Sequence, residues 1–215
     1  MIPILNDTKD LFAEEKKMYM IEAVQKHLIA HKNDSNSELI HHLDQLKQWN
    51  SLFDKDMIEP VYYSTWEYFV FKNFCTEMFP DPELKMKFMA NYIVNSFFLN
   101  FYKAVSEYDD YKPEYCQGSC REMLTRSLQE AIDYLHNKFT KDQLVWGNLH
   151  MNHYRNNPFT LTPLKYLTDR WVSTSGNSNT INMGDYDVFD FETREFTGMY
   201  SGIQSEFRSF FNFTI

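Results

Sequence analysis

The chain has 215 residues and a mass of 25.9 kDa, long enough to bury about 70% of its unfolded surface, so a core needs no disulfide or metal staple. Apolar residues at 43% and charged residues at 24% match ordinary globular proteins and exclude disorder for most of the chain. A net charge of −9 with a pI near 5.2, and no Lys/Arg cluster, excludes nucleic acid as a partner and disfavours an anionic membrane surface.

Glycine is scarce and uneven. Five of the six (Gly147, Gly176, Gly184, Gly198 and Gly202) follow residue 146, and only Gly118 precedes it. Glycine marks tight turns, so the first 146 residues read as a series of helices. The first helix is expected over about residues 9–31. Ser-x-x-Glu, whose hydroxyl and carboxylate satisfy end N–H groups, marks a start at Ser35…Glu38, followed by Leu39, Leu43 and Leu46 on one face. Ser64…Glu67 marks another, followed by Phe69, Val70 and Phe74. Asp81-Pro82-Glu83 combines an Asp cap with Pro at the first helical position. It predicts a helix of roughly 20 residues through Phe88, Ile93, Phe97 and Phe101. Ser119…Glu122 opens a clean 3.6-residue stripe of Leu124, Leu128, Ala131, Ile132 and Leu135. Thr140…Gln143 is the last such box.

Beyond 146 the helical period disappears. Residues 180–183, 188–191 and 206–213 read as strands between Gly/Asn turns. The fold class is therefore α+β: a helical segment, 1–146, then a segment of short antiparallel strands, 147–215. The change is one of texture within a continuous fold. The longest uncharged stretch, residues 88–102, is 15 residues with three Asn. A membrane span wants about 20 mostly apolar ones, so a buried core helix is expected instead. No signal or transit peptide opens the chain, since Met1-Ile2-Pro3-Ile4-Leu5 is short and soon meets Asp7 and Asp10. Compartment stays open.

Candidate chemistry is thin. His27 and His31 are four apart but lack the Glu of His-Glu-x-x-His, so a solvated face is expected. His41 and His42 are adjacent, cannot share a helix face, and read as surface. Cys116-x₃-Cys120 has no second Cys/His pair to complete zinc; ordinary thiols or a local disulfide remain open. With Cys75 the count is odd and makes no disulfide framework. Gly184, Asp185, Asp187 and Asp190 depart from the EF-hand pattern at the sixth and twelfth positions. Ser201 misses Gly-x-Ser-x-Gly by one residue, and Ser205 has no base beside it. Trp146, Gly147, His150 and His153 form a polar-aromatic cluster where helices give way. No cofactor, metal or catalytic residue is assigned.

Trp146-Gly-Asn-Leu-His150 followed by Tyr154-Arg-Asn-Asn-Pro158-Phe159 resembles a motif of the penicillin acylase family. Thr162-Pro163-Leu164 and Gly176-Asn-Ser-Asn-Thr180-Ile-Asn182 are similar to the next family segments, and Ser205-Glu-Phe-Arg208 to its Ser-x-Arg strand. Upstream, Leu5-Asn-Asp-Thr8 is similar to the family's helix start. Leu46-Lys-Gln-Trp49-Asn50 is similar to its Leu-x-x-Trp-[Asp/Asn]-Gly, with Ser51 replacing the Gly. The resemblance implies an N-terminal-nucleophile hydrolase of four-layer αββα fold. In such enzymes a serine at the start of the β chain attacks an amide, and its own α-amine serves as base. Backbone and Asn donors hold the oxyanion. This chain resembles only a later part of that β chain. The nucleophile, oxyanion and calcium segments are expected upstream of Met1, and a Pro-Gly-x-Ser-Gly segment beyond Ile215. No catalytic residue carries over. Trp146, Gly147, His150, Pro158, Thr180 and Arg208 carry over as motif positions with a scaffold role. The implied partner is another chain, either one bearing the N-terminal serine or a large assembly in which this chain is catalytically silent.

Overall fold

The computed structural model describes residues 7–31, 37–90, 95–109, 111, 113, 116, 118–154, 158–159 and 161–182. Helix α1 (Leu11–His31) begins beside Asp10, whose Oδ1 accepts the Ala13 N–H at 2.9 Å. This side-chain acceptor satisfies a donor that the helix start would leave unpaired. Helix α2 (Ser37–Gln48) buries Leu39, Leu43 and Leu46, the face expected from their spacing.

Helix α3 (Glu59–Met78) starts earlier than the Ser64 box implies. Pro60 occupies its first turn, where a missing N–H does no harm. Val61, Tyr62 and Tyr63 extend the buried face backward, so Ser64 is buried inside the helix rather than capping it. Helix α4 (Pro82–Ala90) opens as predicted, with Asp81 Oδ1 accepting the N–H groups of Glu83 at 2.8 Å and Leu84 at 3.3 Å. Helix α5 (Asn95–Glu107) continues the same stretch of sequence. Helix α6 (Cys120–Lys138) has Ser119 at its cap position, but the serine carbonyl, not its hydroxyl, receives the Met123 N–H. At the one-turn 3₁₀ helix Lys141–Gln143, Gln143 Oε1 accepts the Thr140 N–H at 2.9 Å, as a capping box requires.

The helices pack around one apolar core. Helix α3 lies chiefly against α6, and α1 against α5 and α6. Trp66 is fully buried in that core and its Nε1 donates to the Leu124 carbonyl at 3.0 Å. Phe71, Phe74, Phe98 and Phe101 meet edge to face at 5.5–5.9 Å, the geometry that aromatic quadrupoles favour. The wealth of aromatics thus fills a core. Among the described residues, no helix is long and apolar enough to cross a membrane.

After α6 the chain forms a short helix α7 (Trp146–Leu149), strand β1 (Met151–Tyr154), helix α8 (Lys165–Thr168) and strand β2 (Arg170–Ser173). β1 and β2 pair antiparallel, with Met151 opposite Ser173 and Tyr154 opposite Arg170. The architecture is α+β and mostly helical. The strand expected at 180–183 is not formed over its described part. Residues 180–182 bend instead, because the Thr180 hydroxyl donates to the Asn182 carbonyl at 2.7 Å and satisfies the backbone locally. The strands expected at 188–191 and 206–213 lie outside the described residues.

Of the states left open for Cys116 and Cys120, the structure has the disulfide, with Cα atoms 5.2 Å apart. Cys75 is a free, buried thiol on α3. Burial pushes its pKa up to about 12.

Candidate functional site

Segments far apart in sequence meet at one buried joint. Its centre is Asp10, 1% exposed, whose Oδ2 accepts the side-chain amides of Asn177 at 2.6 Å and Asn179 at 3.1 Å. The start of α1 is thereby tied to the 176–182 turn. Thr180 shapes that turn, its Oγ1 accepting the Asn177 N–H at 2.9 Å. The Asn182 N–H donates to the Asp7 carbonyl at 2.8 Å, closing the turn onto the chain start. Gly176 takes φ +90°, and a Cβ there would overlap the Asn182 carbonyl and stand 2.8 Å from Thr180 Oγ1. Only glycine meets both demands.

The loop between α2 and α3 forms the second wall. Phe53 N–H donates to Thr8 at 2.9 Å and Asp10 N–H to Ser51 at 3.0 Å. The Phe53 carbonyl accepts the Gly176 N–H at 2.7 Å. Lys17 is buried with its ammonium on the Trp49 carbonyl and 5.0 Å from that indole's centroid. Burial lowers its pKa below the ordinary lysine value.

Trp146, Gly147 and His150 form the third wall. Trp146 is fully buried; its Nε1 donates to the Gly176 carbonyl at 3.2 Å, and its ring meets Phe53 at 5.1 Å. His150 stacks on Trp146 at 4.6 Å, and its Nδ1 lies 3.0 Å from the Thr174 carbonyl. A carbonyl only accepts, so Nδ1 carries the proton. Gly147 N–H donates to Lys55 at 2.7 Å, so close that a Cβ would stand 2.7 Å from Lys55 Cβ.

The structure therefore gathers Trp146, Gly147, His150 and Thr180 and leaves out Pro158, which sits in an exposed turn. Arg208 lies outside the described residues, as do Asp185, Asp187, Asp190, Ser201 and Ser205. Asp10 and Phe53, which organise the joint, escaped the sequence reading, since each stands just outside a motif that was recognised. The joint holds segments together. The side chains of Asp10, Trp146, Asn177 and Thr180 are hydrogen-bonded within it, while the buried Ser51 hydroxyl has no partner.

A second constellation lies on the other side of α2. His42 is buried, 7% exposed, contrary to its expected surface position, because its ring packs at 4.4 Å on Tyr62 of α3. Burial, with His136 and His41 nearby, lowers its pKa. His136 Nε2 lies 3.0 Å from the Tyr62 hydroxyl and its Nδ1 3.2 Å from Glu38 Oε1. Burial, then the Glu38 charge, raises the Tyr62 pKa. Of the two histidines expected on a solvated face, His31 is exposed, with its Nδ1 2.9 Å from the His27 carbonyl, whereas His27 is half-buried.

Fold and joint together define an α+β scaffold whose distant motif segments are bound into one buried polar knot. The chain belongs to the Penicillin amidase family, whose sequence profile matches residues 1–213. That membership makes it penicillin-acylase-like, akin to hydrolases of amide bonds. A search of curated proteins returns no match.

Proposed function

We propose that the chain is part of an acyl-amide hydrolase whose nucleophilic serine stands at the start of another chain. Residues 1–146 would supply its helical part and 147–215 its strand-rich part, one continuous section of an αββα fold. The observation that carries this reading is the joint itself. Trp146, Gly147, His150, Gly176 and Thr180, the positions that resemble family motifs, all serve to hold segments in place. In that arrangement the chain positions the walls of a site, and the chemistry comes from a serine whose own α-amine takes its proton.

The test is to purify the chain from its native source with whatever accompanies it. A chromogenic acyl anilide then reports hydrolysis, and N-terminal analysis identifies the partner. Hydrolysis in a preparation containing a serine-started chain supports the proposal. A stable, inactive complex without such a chain overturns it. That outcome would favour the second reading, a silent structural subunit. Exposed apolar side chains at Leu161, Tyr166, Leu167, Trp171 and Val172 support that reading, since they offer a face for another protein.

A further inference from the structure

We propose that Glu38, His42 and His136 form a binding site for a zinc-class divalent cation, independent of any amide hydrolysis. Glu38 and His42 are four apart on α2 and so share one helix face. The last turn of α6 brings His136 to the same place. One ligand atom from each lies within 4.8 Å of the other two.

Ligands about 2.0–2.2 Å from a tetrahedral Zn²⁺ stand roughly 3.3 Å from one another. Glu38 Oε1 and His136 Nδ1, 3.2 Å apart, already have that separation. A proton now links them, and a cation would take its place. His136 is also oriented as a metal-bound imidazole is. With an ion in place of the Nδ1 proton, Nε2 would carry the ring proton and could donate it to the Tyr62 hydroxyl, 3.0 Å away. His42 supplies an independent sign: it is more than nine-tenths buried, yet its Nδ1 has no hydrogen-bond partner. Buried polar groups are normally satisfied, and one ring nitrogen of His42 lies within 4.8 Å of the Glu38 and His136 ligand atoms.

Two imidazoles and one carboxylate suit Zn²⁺ better than Mg²⁺ or Ca²⁺, which prefer all-oxygen shells. Three protein donors leave a fourth position for water or another small anionic ligand. The constellation borders a cavity of about 440 Å³, which Gln45, Tyr62 and Lys141 also line. Glu38 and His136 are partly solvent-exposed, so an ion can reach them. Lys141 is the one opposing charge among the lining residues, and its exposed side chain is free to turn toward water.

The test uses the full chain after chelator treatment. Isothermal titration with Zn²⁺ should show one ion per chain, and Co²⁺ should give the intense visible bands of a tetrahedral site. Glu38→Gln and His136→Gln, both at partly exposed positions, should each weaken Zn²⁺ at least tenfold and abolish the Co²⁺ bands. Their metal-free melting temperatures, compared with that of the metal-free parent, confirm folding. His27→Gln should bind as the parent does. Equal affinity in the parent, Glu38→Gln and His136→Gln, or loss of binding in His27→Gln alone, would overturn the proposal.

Discussion

Ser51 follows Trp49-Asn50, where the motif that this segment resembles has Gly, and its backbone is in the left-handed region that favours glycine. Its φ is +62°, its side chain is fully buried, and its hydroxyl has no hydrogen-bond partner. Left-handed backbone costs a non-glycine residue roughly 1–2 kcal/mol, and an unsatisfied buried hydroxyl roughly 1–3. Glycine's greater freedom when unfolded takes back roughly 0.5–1 kcal/mol. Ser51→Gly should therefore stabilise the chain by at least about 1 kcal/mol, and raise Tm by at least ~2–4 °C at this size. A lower Tm would show that the serine is held by something the contacts do not reveal. The cysteines allow a second prediction. Cys75 is buried with its pKa pushed up to about 12, and Cys116 is joined to Cys120. Thiolate is the reactive form. The native protein should show no titratable thiol, the denatured protein one, and the denatured, reduced protein three. Two fast thiols in the native state would contradict the disulfide.

Elements were legible where one face is apolar and the other wet. The stripe Leu124, Leu128, Ala131, Ile132 and Leu135 became α6, and Asp81-Pro82 opened α4. The Ser64 box misled because a hydroxyl followed by Glu also occurs inside helices, and Pro60 was the stronger start signal. The 180–182 turn misled because a β-rich composition says nothing of side chains that hydrogen-bond their own backbone. Gly147 shows what an element contact demands. Its Cβ position lies 2.9 Å from the Lys55 carbonyl and 3.2 Å from Ser173 Oγ. Gly147→Ala should separate α7 from the loop before α3 and destabilise by about 2–3 kcal/mol, read from urea unfolding. On α1, burial and the neighbouring His31 ring lower the pKa of His27 from 6.5. Below that value the unfolded chain binds a proton that the folded chain resists, so stability falls as pH falls. The Tm should drop between about pH 7 and 5, more shallowly in His27→Gln. An identical slope in that variant would remove His27 from the account.

At the scale of the molecule, sequence reading finds segments and structure shows where they meet. Each motif was visible by itself, but nothing in their spacing places Thr8, Phe53, Trp146 and Gly176 together. The organiser, Asp10, resembles any acidic residue before a helix until its partners 167 and 169 positions away are seen. Likewise Glu38 and His42 read as a capping carboxylate and a surface imidazole until α6 brings His136 beside them. If the joint binds the later segments to a helical body that is stable without them, removing its centre should loosen one and spare the other. Asp10→Ala leaves the buried Asn177 amide and the Ala13 N–H without this acceptor and removes one bond from Asn179. Each orphaned donor costs about 1–3 kcal/mol when water cannot reach it, and the total should be about 3–5 kcal/mol. Amide exchange should then rise sharply over residues 174–182 while α3 and α6, packed about Trp66, stay protected. Asp10→Asn keeps one acceptor for the helix start but turns an NH₂ toward two amide donors, so its loss should be intermediate. Uniform loss of protection in Asp10→Ala would mean that the joint and the helices fold as one unit, and that the motif residues hold up the core as well as the segments around it.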